Sequence, residues 1–372
     1  MLADTENKPD ELILTKERVA ACLFDNDIYT TDGNVTSLLW ERHRLHIEFK
    51  LRKRLDAFCD NESQSFEQDT QHGRKTRRQI ISYAALVFKY QHRAFFFTLL
   101  VLGSEARIIR WDRAGAIVTD RFDYVESPEV LQDFFWRFSQ LSDEERGIDM
   151  TVQPATDDER AIMEEAASDD NKLRCRDYAR VDFGKSLQKS RQWWKICVLS
   201  TSEAQRYFLV GTPRFYDGGM VGRGTRGYVA LDVTLGQEKN NPAKFVWLKD
   251  AWRVDHPDIH QEGEILNDLN QKGVKYIPTL HCHGDVPKQS TITHTYWGGD
   301  GRNPLRRHTH YRLVVFEVGR LLKEFENGQQ LLGIFLHCLR GASCSRTYAS
   351  GPDDSVQLIS KRGKRAKFCI EM

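Results

Sequence analysis

The sequence predicts an α+β protein of two domains, and three observations carry that reading. The chain has 372 residues, more than one core usually holds. Short apolar runs of period two, set off by glycine turns, are interspersed with longer runs of helical period in both halves. Between the halves, residues 156–190 are acidic and then polar and basic, as a linker would be. The expected boundaries are 1–155 for a first α+β domain, 156–190 for the linker, 191–340 for a second domain and 341–372 for a tail.

In the first domain, residues 1–37 are polar and carry little signal. Leu45, Ile47 and Phe49 alternate as a strand does. Residues 61–76 are polar and read as a loop. A helix is expected from Arg77 to Tyr90, with Ile80, Ala84, Val87 and Phe88 on one side. Strands follow at 94–102, 107–111 and 116–119, with Gly103 and Gly115 at their turns. Ser127 and Pro128 open a helix as N-cap and first position. Its stripe is Val130, Leu131, Phe134, Phe135, Phe138 and Leu141. An acidic helix from Asp157 to Asp170 is read as solvated.

The second domain is organised around residues 220–250. Strands are expected at 193–199 and 206–210. Gly222, Gly224, Gly227 and Val229 then fit G-x-G-x-x-G-x-V, with strands at 228–233 and 245–248 and Lys249 at the end of the latter. A helix is expected from Asp258 to Asn270, stopped by Gly273. Ile259, Glu262, Ile265, Leu266 and Leu269 share one of its faces. Glu262 is a carboxylate on an apolar stripe, so it needs a partner; Lys249 is the candidate, with Glu264 the weaker choice of carboxylate. A buried strand at 313–316 runs into Glu317, Val318 and Gly319. A helix begins at Gln329 and reaches Leu339.

A glycine-rich hairpin, a strand lysine, a helix glutamate and a hinge, in that order, are the small-lobe parts with which protein kinases hold ATP. Phe316 falls at the gatekeeper position and Glu317 to Gly319 at the hinge. A Rossmann reading fails because a strand, not a helix, follows the glycines. The wording RFYDGGMVGRGTRGYVALDV, FVWLKDAWR, HQEGEILNDLN and HYRLVVFEVGR resembles the fungal-type protein kinase family, as does QIISYAALVFKYQHRAFFFTLLVLGSEARIIRWDRAGAIVTDRFDY in the first domain. The likeness runs from about Leu45 to about Leu332. It implies a kinase small lobe preceded by a family-specific N-terminal region, with ATP as ligand at Gly222, Gly224, Gly227, Val229, Lys249, Glu262, Phe316, Glu317 and Val318.

The chain departs from that pattern in three ways. Kinases place an Asp and Asn loop and a D-F-G after the hinge to hold Mg²⁺ and the substrate hydroxyl, and nothing after Gly319 matches either. Asp182-Phe183-Gly184, with Cys175-Arg176-Asp177 just before it, precedes the glycine loop and reads as coincidence. Trp247 stands where an alanine usually lies over adenine, and Arg226 where an aromatic usually caps the loop. Residues 341–372 do not resemble the family and read as a disordered tail. The reading therefore expects a small lobe lacking most of the large lobe, no catalytic residue, weak ATP binding and no Mg²⁺ held by this chain. It expects a protein partner or oligomer through an exposed hinge and the face left by the missing lobe. A fragment of an active serine/threonine-type kinase is the alternative.

Other features bound the function further. Lys and Arg total 54 against 53 Asp and Glu, for a net charge of +1, which argues against nucleic acid as a partner. The eight cysteines are scattered and form no C-x-x-C. With a polar start and no apolar run long enough for a bilayer, the expected location is intracellular, cytoplasmic or nuclear. Lys361 to Lys367 reads equally as a nuclear signal or a solvated tail. His281, Cys282, His283, His308 and His310 match no common zinc spacing and read as loop histidines. Finally Glu48-Phe49-Lys50, with Asp32 before it and Gln79 and Tyr83 a turn apart on the next helix, is similar in order to the restriction-endonuclease-like fold, where acidic residues hold Mg²⁺ beside a lysine. That adds a third reading, a metal-dependent nuclease-like first domain, with an inert scaffold as its alternative.

Overall fold

A parallel strand pair cannot be closed by a tight turn and needs a crossover; in the first half of this chain that crossover is a helix. The computed structural model describes residues 2–4, 21–23, 40–61, 63–168, 177–200, 204–234, 244–297 and 303–349. Asp32, Cys175, Arg176 and the basic run 361–367 lie outside them. The chain divides into two units interleaved in sequence. The first comprises 1–150, 217–224 and 288–309, and the second 151–216, 225–287 and 310–372.

The first unit holds β1 (Leu2–Asp4), β2 (Ala21–Leu23), β3 (Leu45–Lys50), α1 (Gln71–Tyr90), β4 (Phe95–Leu102), β5 (Glu105–Asp112), β6 (Gly115–Val118), β7 (Phe122–Asp123) and α2 (Pro128–Gln140). Its sheet runs β1-β2-β3-β4-β5-β6, with β7 also on β5. β3 and β4 are parallel, joined through α1, and the other pairs are antiparallel. α1 starts at Gln71, six residues earlier than the apolar pattern suggests, because the Thr70 hydroxyl accepts the Gly73 N–H at 3.0 Å. It buries Ile80, Tyr83, Ala84, Val87 and Phe88 against Phe96, Leu100, Ile109 and Trp111. The opposite face carries Leu45, Ile47, Leu99 and Val101 under Phe138 of α2. Of the predicted α2 stripe only Phe138 is fully buried, and Val130 is exposed. With both faces covered, His46 and Glu48 of β3 are as buried as Leu45 and Ile47, while Phe49 is exposed.

The second unit holds β8 (Val152–Pro154), α3 (Asp157–Ala167), α4 (Asp177–Ser186), β9 (Trp194–Leu199), β10 (Gln205–Val210), β11 (Phe215–Tyr216), β12 (Arg226–Asp232), β13 (Lys244–Val254), α5 (Glu262–Gln271), β14 (Leu280–Ser290), β15 (His308–Val315) and α6 (Gly328–Ala349). The sheet runs β14-β15-β13-β12-β10-β9-β8, with β11 on β12, eight strands in all. All seven residues of β12 are buried. Tyr228 and Ala230 face a cluster with Phe208, Val246, Leu248 and Val314. Val229 and Leu231 face the other side, against Met163 and Ala166 of α3 and Ala179 and Phe183 of α4.

The expected linker is thus part of the second unit. α3 is capped reciprocally by Thr156 and Glu159, and its acidic residues lie around a buried side holding Met163 and Ala166. The polar and basic part of that linker, from 171 to 190, contains α4. Two further differences concern helix ends. α5 begins at Glu262, not Asp258, because the Glu264 carboxylate accepts the Gln261 N–H and the Tyr311 hydroxyl accepts the Gly263 N–H. Ile259 and Ile265 are exposed, so the expected apolar stripe is not a buried one. α6 runs on to Ala349, ten residues past Leu339, so part of the expected tail is helical.

If α4 belongs to the core, Phe183→Ala removes a fully buried ring and should destabilise the second unit by about 3–5 kcal/mol. Urea denaturation of the 372-residue chain checks this, and a loss below about 1 kcal/mol would place α4 outside the core.

Candidate functional site

In an antiparallel pair, side chains of the same parity on neighbouring strands share a face. β12 and β13 pair with Gly227 opposite Lys249 and Val229 opposite Trp247. The register therefore sets Gly227, Val229, Trp247 and Lys249 on one face of the second unit. A Cβ on Gly227 would lie 2.3 Å from Trp247 Cζ2, so the indole occupies the space a side chain would need. Trp247 also packs against the cluster of Val229, Phe183 and Val318 and against Tyr311, Leu313 and Val315. Lys249 is mid-strand rather than terminal, since β13 continues to Val254.

Lys249 Nζ donates to the Glu262 carboxylate. The helix position differs from the expectation: Glu262 occupies the first turn of α5, where a carboxylate is favoured by the helix dipole, and its side chain is 46% exposed. Glu264 serves the cap instead. Phe316 follows the last residue of β15, is partly exposed, and lies against the His281 ring at 4.3 Å. Glu317 accepts the Thr279 N–H at 2.7 Å. Val318 is buried, and its carbonyl accepts the Tyr178 hydroxyl at 2.5 Å. The Gly319 carbonyl accepts from Arg214, which also pairs with Asp182 at 3.0 Å.

Tyr178, Asp182, Phe183 and Arg214 are residues the sequence reading did not assign to this wall. Asp182 is engaged by Arg214 and Lys185, and Phe183 is buried against Phe245. No signal short of the packing itself marks them.

The opposite face of β13 carries Asp250, 2% exposed. Burial by itself raises a carboxyl, but His310, Arg312 and Arg226 hold Asp250 well below the usual range. His310 Nε2 bonds it, Arg312 Nε lies 3.4 Å away and Arg226 3.7 Å. Arg226, the loop-cap position, is thus committed to Asp250. His281 bonds Asp232 at 2.6 Å, His310 stacks on Trp252, and the Gly263 backbone abuts the His283 ring. The Cys282 thiol is pushed up to about 12 by burial.

Gly222 and Gly224 fall in the first unit. Both have positive φ, +101° and +47°. The Gly222 N–H donates to the Arg113 carbonyl at 2.8 Å, and the Arg113 guanidinium donates to the carbonyls of Gly219 and Met220. A Cβ on Gly224 would lie 2.4 Å from Arg113 Cζ. Gly224 thus admits an arginine, whereas a Cβ on Gly222 would meet nothing within 4 Å, and the Gly222 amide is already used.

Elsewhere in the first unit, Lys50 Nζ donates to Glu48 at 2.6 Å and to Gln79 at 2.8 Å, and Gln79 donates to Tyr83 at 2.6 Å. Glu48 and Gln79 meet on the Lys50 ammonium, and Tyr83 joins through Gln79; Asp32 lies outside the described residues.

A family model described as fungal protein kinase matches residues 61–296, more than half of the chain. The matched stretch includes the glycines, Lys249 and Glu262, and stops before the hinge. Comparisons with curated proteins and with solved structures found no match.

Proposed function

The chain belongs to the fungal protein kinase family, and on that footing we propose that it acts as a kinase-like binding module and does not itself transfer phosphate. The observation that carries this is α4. Its Tyr178 hydroxyl takes the Val318 carbonyl, and its Phe183 joins Val229 and Trp247 in one apolar cluster. In a kinase small lobe those positions receive the adenine. Phosphoryl transfer is positioning plus charge neutralisation. Lys249 supplies one point charge, and Asp250, the carboxylate next to it, is locked among His310, Arg312 and Arg226 on the opposite face. ATP then binds weakly, and only at the expense of the α4 contacts.

The partner surface in this reading is α6. Leu332, Phe335, Leu336 and Leu339 are exposed on it by 46–71%. An exposed apolar set of this kind marks an interaction site, and a protein partner or a second copy of the chain is its occupant. No helix among the described residues is long and apolar enough to cross a membrane, so a bilayer-spanning role for α6 is set aside.

A second reading concerns the first unit, where a parallel β3–α1–β4 arrangement brings Glu48, Lys50 and Gln79 together. It is similar to a nuclease site in residue order. We read it as a scaffold, because the Lys50 ammonium sits on the Glu48 carboxylate that a metal would need.

Three measurements test these statements. A radiolabelled ATP assay on the 372-residue chain, with generic and basic protein substrates, should give no transfer above background. Turnover that vanishes in Lys249→Ala would favour the alternative of an active ATP-dependent kinase. Light scattering should show self-association or capture of a partner, with hydrophobic-dye binding reduced several-fold in Leu332→Glu/Phe335→Glu. A monomer that binds no dye would refute the α6 surface. Mg²⁺-dependent cleavage of DNA should be absent, and cleavage lost on Glu48→Ala would overturn the scaffold reading.

A further inference from the structure

β2 and β3 pair so that Cys22 lies directly opposite His46, and opposite residues of an antiparallel pair have adjoining side chains. The turn Trp40–Arg42 then brings His43 back onto the same spot, three residues ahead of His46. The result is three metal-ligating side chains with no solvent exposure to speak of: Cys22 and His43 at 0% and His46 at 1%. Cys22 Sγ, one nitrogen of His43 and one of His46 all lie within 4.8 Å of one another. Cys22 Sγ is 3.7 Å from His43 Nδ1, and His43 Nδ1 is 2.6 Å from His46 Nε2. Trp40 packs over both imidazoles, at 4.8 and 5.3 Å between ring centres.

We propose that Cys22, His43 and His46 form a zinc-binding site that ties β2 to β3 in the first unit. A tetrahedral zinc with bonds of about 2.0–2.1 Å to nitrogen and about 2.3 Å to sulfur puts a sulfur and a nitrogen donor about 3.6 Å apart and two nitrogens about 3.3 Å apart. The Cys22–His43 separation already fits. The two imidazoles would part by about 0.7 Å, trading their mutual hydrogen bond for two metal bonds. Burial and the nearby Arg93 hold His43 down at about 3. Burial, His43 and Arg93 hold His46 well below its ordinary range. A neutral imidazole offers one lone pair to a metal. On binding, only the Cys22 thiol loses a proton, which passes to solvent. His46 Nδ1, the ring nitrogen turned away from the proposed metal, has no hydrogen-bond partner among the described residues.

The opposing charge is Arg93. Thiolate and Zn²⁺ together leave the site at +1, and the guanidinium stands close by. Arg93 is itself spread over Gln91 and the carbonyls of His43 and Arg146, so its charge is held by those acceptors and not aimed at the ligands.

The test is Co²⁺ titration of the full chain after chelator treatment, followed by Zn²⁺ competition. One equivalent of Co²⁺ should raise a thiolate-to-metal charge-transfer band, Zn²⁺ should abolish it, and Cys22→Ser should remove it. His46→Ala should weaken binding at least tenfold. X-ray absorption of the wild-type chain loaded with one zinc needs no variant to fold, and should find one sulfur and at least two nitrogen neighbours. No band, a band unchanged by Cys22→Ser, or a shell with no sulfur or with two or more would each overturn the site.

Discussion

The second unit rests on one buried carboxylate. Asp250 has given up nearly all its water, a cost of several kcal/mol unless partners replace it. It recovers this from three partners on two other strands: Arg226 on β12, and His310 and Arg312 on β15. Arg312 carries the tie further, donating to the Thr151 hydroxyl and the Cys197 carbonyl. Strands at the centre and edge of the sheet are thereby held in one register. Because side chains alternate across a strand, fixing Asp250 on one face also fixes Trp247 and Lys249 on the other. The kinase-like constellation is a by-product of that lock. Removing either arginine would leave the buried carboxylate short of a compensating charge, which is far costlier than losing an exposed pair.

The face opposite Asp250 is closed by shape. Gly227 lacks a Cβ because Trp247 takes its place, and α3 and α4 lay Met163, Ala166 and Phe183 on Val229. The same glycine that in the family pattern lets a phosphate approach here lets an indole approach. A single residue type serves either end, since what it offers is only the absence of a side chain. The motif therefore speaks for a close approach and leaves open what approaches.

Much of this was legible in the sequence, and what was not has physical reasons. The strands around Gly227 and Lys249, helix α1 and the meeting of Lys249 with Glu262 follow from period, turn residues and the need of a lone carboxylate for a partner. The contribution of α3 and α4 did not, because eleven residues with five acidic side chains look solvated until Met163 and Ala166 are seen to share the buried side. Interleaving escaped too: residues 217–224 and 288–309 join the first unit through Arg113 and Asp112, which bond backbone groups more than a hundred positions away. Cys22, His43 and His46 carried the faint signal of a spaced H-x-x-H. Only the strand pairing, which no local pattern encodes, brings the cysteine to it.

The Lys249–Glu262 pair is the feature on which the kinase likeness leans most, and its energetics show what it can and cannot do. With Glu262 nearly half exposed, the pair is a surface ion pair, worth about 0–1 kcal/mol. It cannot position α5. The Tyr311 hydroxyl does more, because it satisfies the buried Gly263 N–H, and Gly263 must lack a side chain to sit against the His283 ring. The helix is thus anchored from the sheet by a tyrosine on β15, the strand whose His310 and Arg312 hold Asp250. Strand, carboxylate lock and helix start form one connected structure, and the lysine–glutamate contact is what that structure leaves at its solvent edge. A pair so placed can be broken without unfolding anything, so a ligand or partner that takes either side chain meets little resistance from the fold.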